Sequence, residues 1–137
     1  MTIVLDASLT VATMVVEHRT ADAQAAMIEA GGRPIWVPSL WRLEVANVFR
    51  TLVRKGVVAP RLVDECLADL SRMSIMLDPH TDARAWTETL ALSREEELTI
   101  YDAAYLELAL RLDATLLTLD TQLTAAARGR GVEVWPR

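Results

Sequence analysis

Residues 115–120 read TLLTLD, a run of Leu and β-branched Thr that stops on a carboxylate. Residues 2–6, TIVLD, do the same at the start of the chain and end on Asp6. Both runs are short and rich in strand-favouring residues, and neither alternates apolar with polar. Strands of that kind are buried on both faces, as in a parallel sheet covered by helices on each side. In open parallel sheets, ligands bind beyond the carboxyl ends of the strands, where the strand order reverses. Asp6 and Asp120 therefore face one crevice if their strands are neighbours. The competing role for either residue is to N-cap the helix that follows.

Working outward, strand-like runs recur at 3–5, 35–37, 74–77, 115–118 and 132–134. Helical patterns occupy 8–17, 20–30, 40–55, 60–72, 82–94, 100–112 and 121–129. Pro38-Ser39, Gly56, Pro60, Asp78-Pro79 and Gly131 punctuate them. The alternation predicts a three-layer α/β fold, and without a linker or repeat it predicts one domain over residues 1–137. SIMLD (74–78) also ends on aspartate, but Pro79 follows and a turn accounts for it.

At 137 residues and 52% hydrophobic, with a mean hydropathy of +0.21, the chain has the means to bury a substantial core. The apolar stretch LTVATMVV falls far short of the ~18 residues of a membrane span, and the N-terminus lacks the basic region of a signal peptide. A single cysteine, Cys66, excludes an internal disulfide framework. These features predict a cytoplasmic protein without membrane contact. Fourteen basic against nineteen acidic residues give a charge of −5, which argues against a broad phosphate-binding surface. Nucleic acid stays possible, because bound cations reverse the sign of an acidic cleft.

Two more acids matter. In the helix over 100–112, Asp102 shares the core-facing side with Tyr105, Leu106, Ala109 and Leu110, and a buried charge needs a partner. Thr99 and Asp102 also fit a capping box. Glu44 lies at the margin of the apolar arc of SLWRLEVANVFRTLVRKG, on a stripe with Asn47, Thr51 and Lys55, where periodicity permits either a cleft or solvent. Asp6, Glu44, Asp102 and Asp120 together are hard oxygen donors without a placed His or Cys, the inventory for Mg²⁺ or Mn²⁺. A cation would answer their mutual repulsion, polarise a phosphoryl oxygen and activate water for attack.

Asp6-Ala-Ser, the helical Glu44, YDAAYLELA around Asp102, and TLLTLDTQLTAAARGRGVEV at the C-terminal end resemble a PIN domain. More narrowly, they are similar to the VapC-type ribonuclease toxins of toxin–antitoxin pairs. The resemblance covers essentially the whole chain and implies a five-stranded parallel sheet of order 3-2-1-4-5. It also implies a Mg²⁺- or Mn²⁺-dependent endoribonuclease that leaves a 5′-phosphate and a 3′-hydroxyl, a homodimer, and a small cognate antitoxin as partner. Asp6, Glu44, Asp102 and Asp120 match the family's acidic quartet, as metal and catalytic residues.

Around them, Thr118 points to the same side of its strand as Asp120 and is a candidate to orient it. Ser8 and Asn47 are further candidate neighbours of the acids. Arg50, Arg54 and Lys55 either hold the RNA backbone or complement the C-terminal end of their helix. His18 and His80 are isolated and take no role. Two other functions stay open: a partner-binding module without catalysis, and a receiver-like phosphoryl-transfer domain. The latter normally needs paired acids and a lysine after a late strand, whereas Ala7 follows Asp6 and the only lysine, Lys55, is in a helix.

Overall fold

The computed structural model describes residues 1–15 and 21–137; His18 and the junction of the first two predicted helices lie outside the described residues. All three side chains of β1 (Ile3–Leu5) are fully buried. Such a strand needs cover on both faces and a neighbour on each edge. It pairs in parallel with β2 (Ile35–Val37) on one side and β4 (Thr115–Leu117) on the other. Outside these lie β3 (Ile75–Leu77) and β5 (Val134–Trp135), giving the expected order 3-2-1-4-5. Ile3 stands opposite both Ile35 and Thr115, so the strands finish nearly level. Strand order reverses between β1 and β4, and there Asp6 N–H donates to Leu117 O at 2.9 Å.

Helices make the crossovers that a parallel sheet requires. They are α1 (Ala7–Met14), α2 (Ala21–Ala30), α3 (Trp41–Arg54), α4 (Pro60–Ser71), α5 (Thr81–Arg84), α6 (Glu88–Glu96), α7 (Ile100–Leu112) and α8 (Thr121–Gly129). α1 packs against α3, and α6 against α7, which lies on β1 and β4. α3 turns Trp41, Val45, Phe49 and Leu52 inward at helical spacing and stops at Gly56, whose φ of +73° a side chain would resist. Among the described residues, no helix is long and apolar enough to cross a membrane.

Two predicted boundaries are corrected. The helix expected over 82–94 is two helices, because Thr87 bonds locally to Arg84 O and to the Glu88 carboxylate instead of continuing the turn. The last strand begins at Val134, not Val132, because Val132 N–H closes the end of α8 on Ala127 O at 3.0 Å.

α7 is buried almost all round from Ala103 to Ala109, so even Glu107 is only 5% exposed. Arg111 answers that charge through Nε at 2.7 Å and grips Asp78 with both terminal nitrogens, at 3.1 and 2.6 Å. Arg84 adds a second cation, 3.4 Å from Glu107. Asp78 also accepts from His80 N–H and from the Thr81 hydroxyl, so the turn read from the sequence is present. The ion pair that ties the last turn of α7 to the end of β3 is an addition to it.

Candidate active site

The backbone carries Asp6 out of the central strand into the first position before α1, where a capping side chain would normally stand. It does not cap. Its Oδ2 instead accepts from the Thr118 hydroxyl at 2.6 Å and from the Ser8 hydroxyl at 2.9 Å. Thr118, one residue beyond β4, also accepts from Asp120 N–H at 3.1 Å, so a single hydroxyl joins the ends of the two neighbouring strands. Asp120 does cap: its Oδ1 accepts from Leu123 N–H at 2.7 Å in the first turn of α8. The two roles open to strand-end aspartates in the sequence are thus divided between Asp6 and Asp120.

Asp102 stands in the first turn of α7, where its N–H, not its carboxylate, is bonded to the capping Thr99 hydroxyl at 3.1 Å. Glu44 occupies the first turn of α3 and is half-buried, accepting from the Tyr105 hydroxyl at 2.6 Å. Its place at the margin of the apolar arc therefore faces the crevice. All four acids sit at the start of a different helix. The partial positive charge of a helix N-terminus favours anions there, side chain or phosphate alike.

The four carboxylates also feel one another. Burial raises Asp6 above the usual carboxylate range, against the bonds from Thr118 and Ser8, and the charge of Asp120 adds to the rise. Glu44 is raised by burial and by Asp6 and Asp102, partly offset by the Tyr105 bond. Asp102 is pushed up to about 6, by burial first and then by Asp120 and Asp6. Burial, with Asp6 and Glu44 beside it, also raises the Tyr105 phenol, which stays a donor.

A pH dependence follows. Unfolded, Asp102 binds its proton only up to about pH 4, whereas folded it holds it up to about 6. Between those values folding takes up a proton, so stability falls as pH rises through the window. The melting midpoint of the protein in EDTA is expected to rise as pH is lowered from about 7 to about 5, with Asp6 and Glu44 acting in the same direction. Thermal melts at stepped pH check this; a midpoint that stays level or drops would refute the mutual repulsion.

Among the described residues, no three His, Cys, Asp or Glu side chains are gathered tightly enough to hold an ion as they stand. Their oxygens are engaged by Thr118, Ser8, Leu123 N–H and Tyr105. Mg²⁺ does not require such a cage, since it keeps several waters and binds through one or two carboxylates. Acids that raise one another and have no cation partner among the described residues fit that mode of binding.

Of the other candidates, Asn47 is exposed, and its backbone oxygen, not its side chain, takes the bond from Thr51. Arg50, Arg54 and Lys55 are exposed along α3 and at its end, and pair with no acid among the described residues. Tyr105 was visible in the sequence only as a core residue; the rule that a buried Tyr hydroxyl seeks a partner was the available signal. A cleft of about 540 Å³ between α3, α4 and β3 is lined by Trp41, Leu67, Leu70, Met73 and Ile75 and holds no carboxylate.

The family model described as PIN domain matches residues 3–129, from β1 to the end of α8. Ribonuclease VapC3 of Pyrobaculum aerophilum is 33% identical over 123 residues, covering 90% of this chain and 92% of that protein. The crystal structure of PAE2754 from Pyrobaculum aerophilum is similar with a TM-score of 0.66 and 25% identity, over 98% of this chain and 83% of that one. FitAcB from Neisseria gonorrhoeae shares the fold at a TM-score of 0.63 and 14% identity, over 97% of this chain and 96% of that one. So does VapBC2 from Rickettsia felis bound to a DNA fragment from their promoter, at 0.63 and 16%, over 98% and 97%. With one family model running from the first strand into the last helix, and a relative of this identity spanning nine-tenths of its length, the chain belongs to the PIN-domain family.

Proposed function

We propose that this chain is a Mg²⁺- or Mn²⁺-dependent endoribonuclease and the toxin half of a toxin–antitoxin pair. The observation that carries the reading is the meeting of Asp6, Glu44, Asp102 and Asp120, from four separate helix starts, at the β1/β4 switch point without a cation partner among the described residues. Membership of the PIN family and the likeness to a protein named Ribonuclease VapC3 support it.

Asp6, Asp102 and Asp120 would hold the ion, with Glu44 across the crevice. When bound, Mg²⁺ or Mn²⁺ supplies Lewis acidity toward a phosphoryl oxygen and lowers the pKa of water. The chain's own part is to preset these groups. Thr118 and Ser8 hold Asp6, the α8 N-terminus holds Asp120, and Tyr105 holds Glu44. The helix starts add positive potential where a phosphodiester would lie. Arg50, Arg54 and Lys55, exposed on α3 and at its end, would meet the RNA backbone. We extend the proposal to a small cognate antitoxin and to a homodimer.

The experiment is cleavage of mixed cellular RNA by antitoxin-free protein with Mg²⁺, with Mn²⁺ or with EDTA. Cleavage in both metals and none in EDTA is expected, with 5′-phosphate ends. Cleavage that survives EDTA would overturn the metal reading. The absence of cleavage, together with Mg²⁺ failing to alter the melting midpoint, would favour the partner-binding module. That alternative draws on the carboxylates not being gathered on one point and on Leu43, 77% exposed beside Glu44.

A further inference from the structure

Tyr105 is fully buried in α7, one turn beyond Asp102, yet its hydroxyl reaches the crevice. It donates to Glu44 Oε1 at 2.6 Å. One side chain of α7 thereby reaches across to α3. Among the described residues, no other hydrogen bond is made to the Glu44 carboxylate. Glu44 is half-buried and repelled by Asp6 and Asp102, and among the described residues that donor is what keeps it turned inward.

We propose that Tyr105 is a positioning residue, holding Glu44 toward the other three carboxylates so that the quartet is preset for a divalent cation. This rests on the metal-dependent nuclease reading above. Partners that orient a ligating carboxylate typically change metal affinity ~10–100-fold when removed.

The test measures Mn²⁺ binding by the loss of the free-ion electron paramagnetic resonance signal. The unsubstituted protein, Tyr105→Phe, Glu44→Gln and the double variant are compared, each with its melting midpoint. Phe keeps the buried ring and removes only the hydroxyl. Tyr105→Phe is expected to weaken Mn²⁺ binding roughly 10-fold, and to weaken it no further in the Glu44→Gln background. Should Tyr105→Phe fail to fold, Glu44→Asp serves instead: it keeps the charge and the phenol but is too short to hold the bond, and it should show the same loss. Equal losses from Tyr105→Phe in both backgrounds would mean that the hydroxyl acts independently of Glu44 and would overturn the proposal. No loss at all would do the same. An unsubstituted protein that binds no Mn²⁺ would instead bring down the metal reading itself, and this inference with it.

Discussion

Asp102→Asn is expected to lower RNA cleavage at least ~100-fold, the upper end of what losing even an outer partner of a metal ligand does, without lowering the melting midpoint. The substitution is nearly isosteric. The cap of α7 is made by the Asp102 N–H to Thr99, which Asn retains. What changes is charge: Asp102 is pushed up to about 6, by burial and by its neighbours. A neutral amide relieves that repulsion, so the metal-free variant should melt at the same temperature or higher near neutral pH, where the native carboxylate is ionised. Cleavage of the identified RNA in Mg²⁺ and thermal melts in EDTA, run on the same preparation, give both numbers. Loss of cleavage with a retained or raised midpoint separates chemistry from folding. Undiminished cleavage would place the site elsewhere, and a variant that melts well below its parent would make the carboxylate structural.

The same residues show how far sequence reaches. The strand-end positions of Asp6 and Asp120 were legible because a strand buried on both faces has only its end for a polar residue. Thr118 was legible by parity, since residues two apart on an extended chain share a side, although its partner proves to be Asp6 through the side chain and Asp120 only through the backbone. That bond joins positions 112 apart, which no local pattern expresses. Glu44 was undecidable for the same reason: its place on α3 suits cleft or solvent, and Tyr105, 61 positions away, decides it. Asn47 lies one turn along the same stripe and illustrates the converse, with the right spacing and an exposed side chain. The break at Thr87 was hidden because local hydroxyl bonds, not hydrophobic spacing, end that helix.

The fold buries two groups of carboxylates and treats them oppositely. Asp6, Glu44 and Asp102 have no cation partner among the described residues and are raised. Asp78 and Glu107, 3% and 5% exposed, are met by Arg111. Burial would raise Asp78 as well, but the bonds from Arg111, Thr81 and His80 N–H and the charge of Arg111 together hold it below the usual range. This contrast makes the second large prediction. Arg111→Met strands two buried charges, with only Arg84 left beside Glu107. Removing one partner of a buried pair costs about 3–5 kcal/mol, which for a chain of this length lowers the melting midpoint by roughly 10–20 °C.

The deficit should depend on pH in a defined sense. With Arg111 present, the depressed Asp78 stabilises the fold above its unfolded value near 4, and that contribution is lost as pH falls through its folded value. Without Arg111, the desolvated Asp78 carries a penalty at neutral pH that protonation relieves. The gap between parent and variant therefore narrows from about pH 7 to about pH 4, and Asp78→Asn in the Arg111→Met background should recover part of it at neutral pH. Urea unfolding at both pH values measures this. A loss below ~1 kcal/mol at pH 7, the value of an exposed pair, would mean that water reaches Asp78. The contrast between answered and unanswered carboxylates, on which the choice of site leans, would then weaken with it.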